Sequence, residues 1–110
     1  MPETGQPRRS ERLLVEIDAQ CRTQSGLRDR GHISNISAEG CCVTTNALFV
    51  RVGLRVLVKP EGMEGLSGMV RWIEGNRAGI LFDLPLYQPI VEHLAARHGV
   101  ASVPVSLSRD

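Results

Sequence analysis

Arg8, Arg9 and Arg12 crowd the start of the chain, and Asn35, Ser37 and Gly40 follow later as Asn-x-Ser-x-x-Gly. A guanidinium makes paired hydrogen bonds to guanine O6 and N7 or to phosphate oxygens, and it stacks on base planes. Asn35 adds an amide that both donates and accepts at a base edge, and Ser37 adds a compact hydroxyl. Gly40 permits a positive backbone angle or the close approach of a ligand. Brought together, these groups form a polar shelf under a cationic clamp, which suits an anionic guanine nucleotide. Taken singly, each cluster has a plainer reading: a solvated arginine tail, and a turn whose Asn and Ser bond their own backbone. The chemistry therefore depends on whether the intervening chain makes the two meet.

That chain reads as a hairpin. Leu13, Val15, Ile17, Ala19 and Cys21 alternate with Leu14, Glu16, Asp18 and Gln20, the period-2 pattern of a strand with one buried face. Ser25-Gly26 signals a turn, and Ile33 and Ile36 mark a second strand whose alternation slips around Asn35, as a bulge or a strand end would cause. With the tip at Ser25-Gly26, paired residue numbers sum to about 51, so Arg12 faces a position near 39. The arginine cluster then emerges beside Asn35 to Gly40.

The rest of the pattern is consistent with a small antiparallel barrel or sandwich. Cys41 to Thr45 is a third strand, and Leu54, Val56 and Val58 mark a fourth that stops at Pro60-Glu61-Gly62. Leu66 to Glu74 is a fifth, with Val70 and Trp72 on one face and Met69, Arg71 and Ile73 on the other. After a turn at Glu74-Gly75-Asn76, Ala78, Ile80 and Phe82 mark a sixth. Beyond Pro85 the period changes: Leu86, Ile90, Val91, Leu94 and Ala95 share one side of a helix. Pro89 suits its first turn, Arg97 and His98 its last, and Gly99 its C-terminal cap. The expected division is a flexible arginine-rich arm over residues 1–12, a folded unit over 13–98 and a frayed polar tail over 99–110.

Arg8-x-x-x-Arg12, then Asn35-x-Ser37-x-x-Gly40, then Val70-Arg71-Trp72 and Gly79-Ile80-Leu81-Phe82 before a terminal helix, closely resembles the PilZ domain, a bacterial receptor module for cyclic di-GMP. The resemblance runs from residue 8 to about residue 98. It implies a six-stranded antiparallel barrel with one C-terminal helix, and an arm that wraps over bound ligand. Carried over by residue, Arg8 and Arg12 would hold guanine and phosphate, Asn35, Ser37 and Gly40 would form the barrel-side surface, and Arg9 lies between the motif arginines. The family accepts Asp or Asn at the position of Asn35. Pro7 sits where the family varies and does not tell whether one ligand or a stacked pair binds.

Composition bounds the alternatives. The chain has 110 residues, 42% of them apolar and 23% charged, enough for one domain with a single core. Its net charge of +1 argues against bulk attraction to nucleic acid, although 12 of the 13 cationic side chains are arginine. Its few aromatic residues, Phe49, Trp72, Phe82 and Tyr87, are poor provision for stacking single-stranded RNA. Cys21, Cys41 and Cys42 have no Cys-x-x-Cys spacing and read as reduced thiols, core or half-buried, rather than metal ligands. His93 and His98 read as helix-surface or capping residues, and Trp72 as a core or barrel-wall residue.

No glycine-rich phosphate loop, nucleophile elbow or metal motif is present, so neither catalysis nor a cofactor is expected. No membrane-length apolar run or signal-peptide pattern is present, and the cytoplasm is the expected compartment. The expected function is a cyclic di-GMP receptor acting through a downstream protein partner, in control of motility, attachment or polysaccharide production. The rival is a barrel of the same kind that works as a protein-interaction module without nucleotide binding.

Overall fold

The computed structural model describes residues 12–46 and 51–99. Arg8 and Arg9, with the rest of the expected arm up to residue 11, lie outside the described residues, as do residues 100–110 of the expected tail. Six strands form one closed antiparallel barrel: β1 (Leu13–Thr23), β2 (Arg28–Ile36), β3 (Gly40–Thr45), β4 (Arg55–Pro60), β5 (Leu66–Glu74) and β6 (Arg77–Phe82). Around the barrel the order is β1-β2-β3-β6-β5-β4, with β4 pairing back onto β1. Closure leaves no free strand edge in the barrel. A single helix, α1 (Gln88–His98), follows.

The alternation read in β1 is realised residue by residue, with Val15, Ile17, Ala19 and Cys21 buried and Leu14, Glu16, Asp18 and Gln20 exposed. Inward residues from every strand, among them Ile33, Ile36, Val43, Val58, Val70 and Ile80, make one core. Val91 and Leu94 of α1 join that core, each worth about 1.5–3 kcal/mol of apolar burial. Gly99 bridges to Val15 and so belongs to the fold, although the sequence pattern assigns it to the tail. It does not make a left-handed cap. Its backbone is extended, and a Cβ there would meet the Ala95 carbonyl oxygen at 2.2 Å.

The β1–β2 turn falls where Ser25-Gly26 indicates. Gly26 takes φ 101°, its N–H donates to the Thr23 carbonyl, and the Thr23 hydroxyl accepts from the Leu27 N–H. The register differs from expectation by one residue near the tip, where Arg22 faces Arg28. It differs by two at the far end, where Leu13 faces Ile36, because Val15 and Glu16 share the place opposite Ser34. Against β3 the surplus residue is Ser34 itself, since Ile33 faces Val43 and Asn35 faces Cys42. This bulge is the slip seen in the β2 sequence.

A third bulge lies in β5. Val70 faces Ile80, but Trp72 faces Gly79, so Arg71 is the extra residue. Val70 stays in the core while Trp72 turns outward and is 39% exposed, which corrects the placing of the two on one face and leaves Trp72 as a barrel-wall residue, not a core one. Of the two expected placements for the thiols, core or half-buried, the structure shows the first: all three are free and buried, with Cys21 and Cys41 in the core.

Candidate functional site

The bulges line up one row of residues across the outside of the barrel: Leu14 on β1, Asn35 on β2, Cys42 on β3, Gly79 on β6 and Trp72 on β5. The next row, Leu13, Ile36, Cys41, Ile80 and Val70, is its inward counterpart. Arg12, the last residue of the expected arm, sits at the edge of the outer row. Its Nη1 donates to Asn35 Oδ1 at 2.6 Å. The two sequence clusters therefore do meet, through the residues of each that the structure describes.

Ser37 and Gly40 close a tight loop between β2 and β3. The Ser37 N–H donates to the Gly40 carbonyl at 2.8 Å, and the Ser37 hydroxyl accepts from the N–H groups of Glu39 and Gly40 at 3.2 and 3.3 Å. Ser37 is 3% exposed, so its hydroxyl shapes the loop. Gly40 has no positive φ. It is needed because a Cβ would lie 2.2 Å from the Ile80 carbonyl oxygen on the adjoining strand.

Between this loop and β5 is a cleft of about 350 Å³, lined by Arg12, Ser37, Glu39, Arg71, Trp72 and Leu81 among others. The Trp72 indole occupies the space left by the missing side chain of Gly79, where a Cβ would meet Trp72 Nε1 at 2.1 Å. Arg77 places its guanidinium 5.9 Å from the Trp72 ring centroid, within cation–π range. Cationic forks from Arg12 and Arg71 thus share a cleft with the partly exposed Trp72 indole, and Glu39 is the carboxylate that lines it. Asn35 does not line the cleft and reaches it through Arg12.

Arg71, Trp72 and Leu81 are cleft residues that the sequence patterns placed on strands without a site role. The available signal was Gly79, a glycine inside a strand opposite a tryptophan. Beneath the loop, burial pushes the Cys41 thiol far above its ordinary range; the Cys21 and Cys42 thiols add to this and Arg12 opposes it. That thiol is a packing group, not a nucleophile. Among the described residues no group of three or more His, Cys, Asp and Glu side chains is placed to hold a metal ion.

The PilZ domain family model matches residues 6–96. The chain belongs to the PilZ domain family. The solved structure of the Bacillus subtilis inhibitor of motility (MotI/DgrA) is similar in fold, with a TM-score of 0.59 at 20% identity. The likeness covers 84% of this chain and 52% of that one, so this PilZ chain spans about half the length of its neighbour. No curated protein matches it. No helix among the described residues is long and apolar enough to cross a membrane.

Proposed function

We propose that this PilZ domain is a non-catalytic receptor for cyclic di-GMP, bound in the cleft between the Ser37–Gly40 loop and Trp72. The observation that carries the reading is the Arg12–Asn35 hydrogen bond, which sets an arginine of the first motif over the outer row that leads to Trp72. Arg12 has five N–H donors, and the bond to Asn35 uses one, which leaves a fork for guanine or phosphate. Arg71 supplies a second cation from the opposite wall of the cleft, and Trp72 an aromatic face for a base. Arg8 and Arg9 complete the clamp from the segment that precedes Arg12. Asn35 positions Arg12, and Ser37 and Gly40 hold the loop that forms the barrel-side wall.

On this reading, ordering of the arm over the ligand is the signal. Each residue fixed costs about 1–2 kcal/mol of backbone entropy, which several charge-assisted contacts together offset. The ordered arm then changes a surface read by a downstream protein in the cytoplasm, in control of motility, attachment or polysaccharide production. One observation favours the rival reading, an interaction module without nucleotide: among the described residues the Ser37 hydroxyl bonds only within its own loop, so the Ser37 and Gly40 positions of the second motif are explained by folding.

Calorimetric titration with cyclic di-GMP, beside GTP and cyclic GMP, separates the two. Selective binding that Arg12→Ala weakens supports the receptor. Absence of binding overturns it in favour of the interaction module, and binding left unchanged in the variant overturns the assignment of Arg12 to the site.

A further inference from the structure

The other wall of the barrel carries a second cationic surface that the receptor reading does not use. On the outward face of β2, β1 and β4, Arg28 faces Arg22, which faces Leu57; one step along, Arg30 faces Gln20, which faces Lys59. Arg22, Arg28, Arg30 and Lys59 are all exposed, and among the described residues none forms an ion pair. These residues flank a groove of about 560 Å³ that runs over Gln20 and Leu57. The one carboxylate lining it, Asp29, is engaged by the Arg30 N–H at 2.8 Å and the Thr45 hydroxyl at 3.4 Å. Four cations thus stand together in a chain whose net charge is only +1. Four cations against the single groove carboxylate Asp29 leave an excess of positive charge, with Asp18 and Glu61 beside the Arg30 and Lys59 end, and an anionic partner relieves the cost of that excess.

We propose that this groove docks an extended acidic segment of a partner protein, with carboxylates at alternate residues. Arg28 and Arg30 are two residues apart on one strand face, about 7 Å, which is the spacing of alternate side chains in a partner running along the strand. Lys59, across Gln20 from Arg30, closes the other side, and Leu57 offers an apolar contact between the charges. The groove lining has no aromatic side chain on which to stack bases, which disfavours single-stranded nucleic acid. The surface is separate from the nucleotide cleft, so its test does not depend on cyclic di-GMP.

The test is fluorescence anisotropy with a labelled peptide that alternates glutamate and threonine, run at low salt against the whole protein. A poly-thymidine oligonucleotide and phosphatidylglycerol vesicles serve as competing probes. The double variant Arg28→Glu/Arg30→Glu is compared with Arg51→Glu/Arg97→Glu, an equal change of net charge at exposed positions outside the groove, after thermal unfolding shows that each is folded. The expected result is peptide binding that weakens with salt, falls roughly tenfold or more in the groove variant, and is retained by Arg51→Glu/Arg97→Glu. Equal binding by wild type and groove variant overturns the proposal. So does an equal loss in Arg51→Glu/Arg97→Glu, which reduces the effect to net charge, or tighter binding of the oligonucleotide or the vesicles than of the peptide.

Discussion

Replacing Gly79 with alanine tests the geometry of the cleft without touching a charge. The three heavy atoms nearest to the added Cβ are Trp72 Nε1, Cε2 and Cδ1, at 2.1, 2.4 and 2.7 Å, so the indole must leave its seat. Trp72 is 39% exposed, so roughly three fifths of its ~250 Å², about 150 Å², is covered. At ~25 cal/mol per Å², full release costs about 4 kcal/mol. A half-exposed ring finds other cover when it swings, and alanine regains about 0.5–1 kcal/mol over glycine in a strand. The expected net loss is about 1–3 kcal/mol, a fall in the unfolding midpoint of roughly 4–8 °C per kcal/mol for a domain of this size.

The decisive assay is a double-mutant cycle by circular dichroism with Trp72→Ala. Once the indole is gone, all three close contacts vanish, and Gly79→Ala becomes neutral or slightly stabilising. An equal destabilisation by Gly79→Ala in both backgrounds would refute the placement of the indole over Gly79.

Other outcomes follow from the same structure. Arg12→Ala weakens cyclic di-GMP binding by about 1.5–3 kcal/mol with little change in the unfolding midpoint, checked by calorimetry beside thermal unfolding. Trp72 is the only tryptophan in the chain, so cyclic di-GMP changes the intrinsic fluorescence of wild type, and a signal indifferent to saturating ligand places the ligand elsewhere. Ser37→Ala strips the acceptor from the Glu39 and buried Gly40 N–H groups and lowers stability by about 1–3 kcal/mol in urea unfolding. Burial, with a smaller push from Asp29, raises the Cys21 thiol to about 11 from 9.0. The unfolded chain loses that proton first, so this contribution is intact below pH 9 and is lost as pH rises toward about 11. Cys21→Ala accordingly flattens the fall in urea stability across that interval.

The alternation of β1, the turn at Ser25-Gly26 and the apolar side of α1 were legible because each is written in local periodicity or a single turn residue. The bulges were not. An extra residue in one strand changes which residues face each other without changing composition, so a hairpin register already one residue off at the tip came out two residues off beyond Val15 and Glu16. The same blindness put Trp72 on the face of Val70, when Arg71 bulges and sends the indole outside. Of the site, Arg12 and Asn35 were readable as a pair because register errors of one or two residues still leave a long arginine within reach. Ser37 and Gly40 were readable as a motif but not as a loop closed on itself. The difference lies in where a hydroxyl's hydrogen bonds go and in how near Ile80 of another strand comes.

The site divides into parts that yield and parts that do not, and the division bears on how a signal would leave it. The Arg12–Asn35 bond is exposed, and such contacts contribute only about 1 kcal/mol, so a nucleotide can exchange it at little cost. The Ser37–Gly40 loop is held by its own buried hydroxyl and by the contact of Gly40 with Ile80. It is also held by N–H donations from Phe82 to Glu39 and from Leu86 to Ala38, at 2.8 and 2.7 Å. To move that loop would break several backbone bonds at once and disturb the entry to α1. In the receptor reading, ligand free energy therefore acts on the exposed Arg12–Asn35 contact, where the described residues resist least, and the barrel with its Ser37–Gly40 loop is a fixed platform.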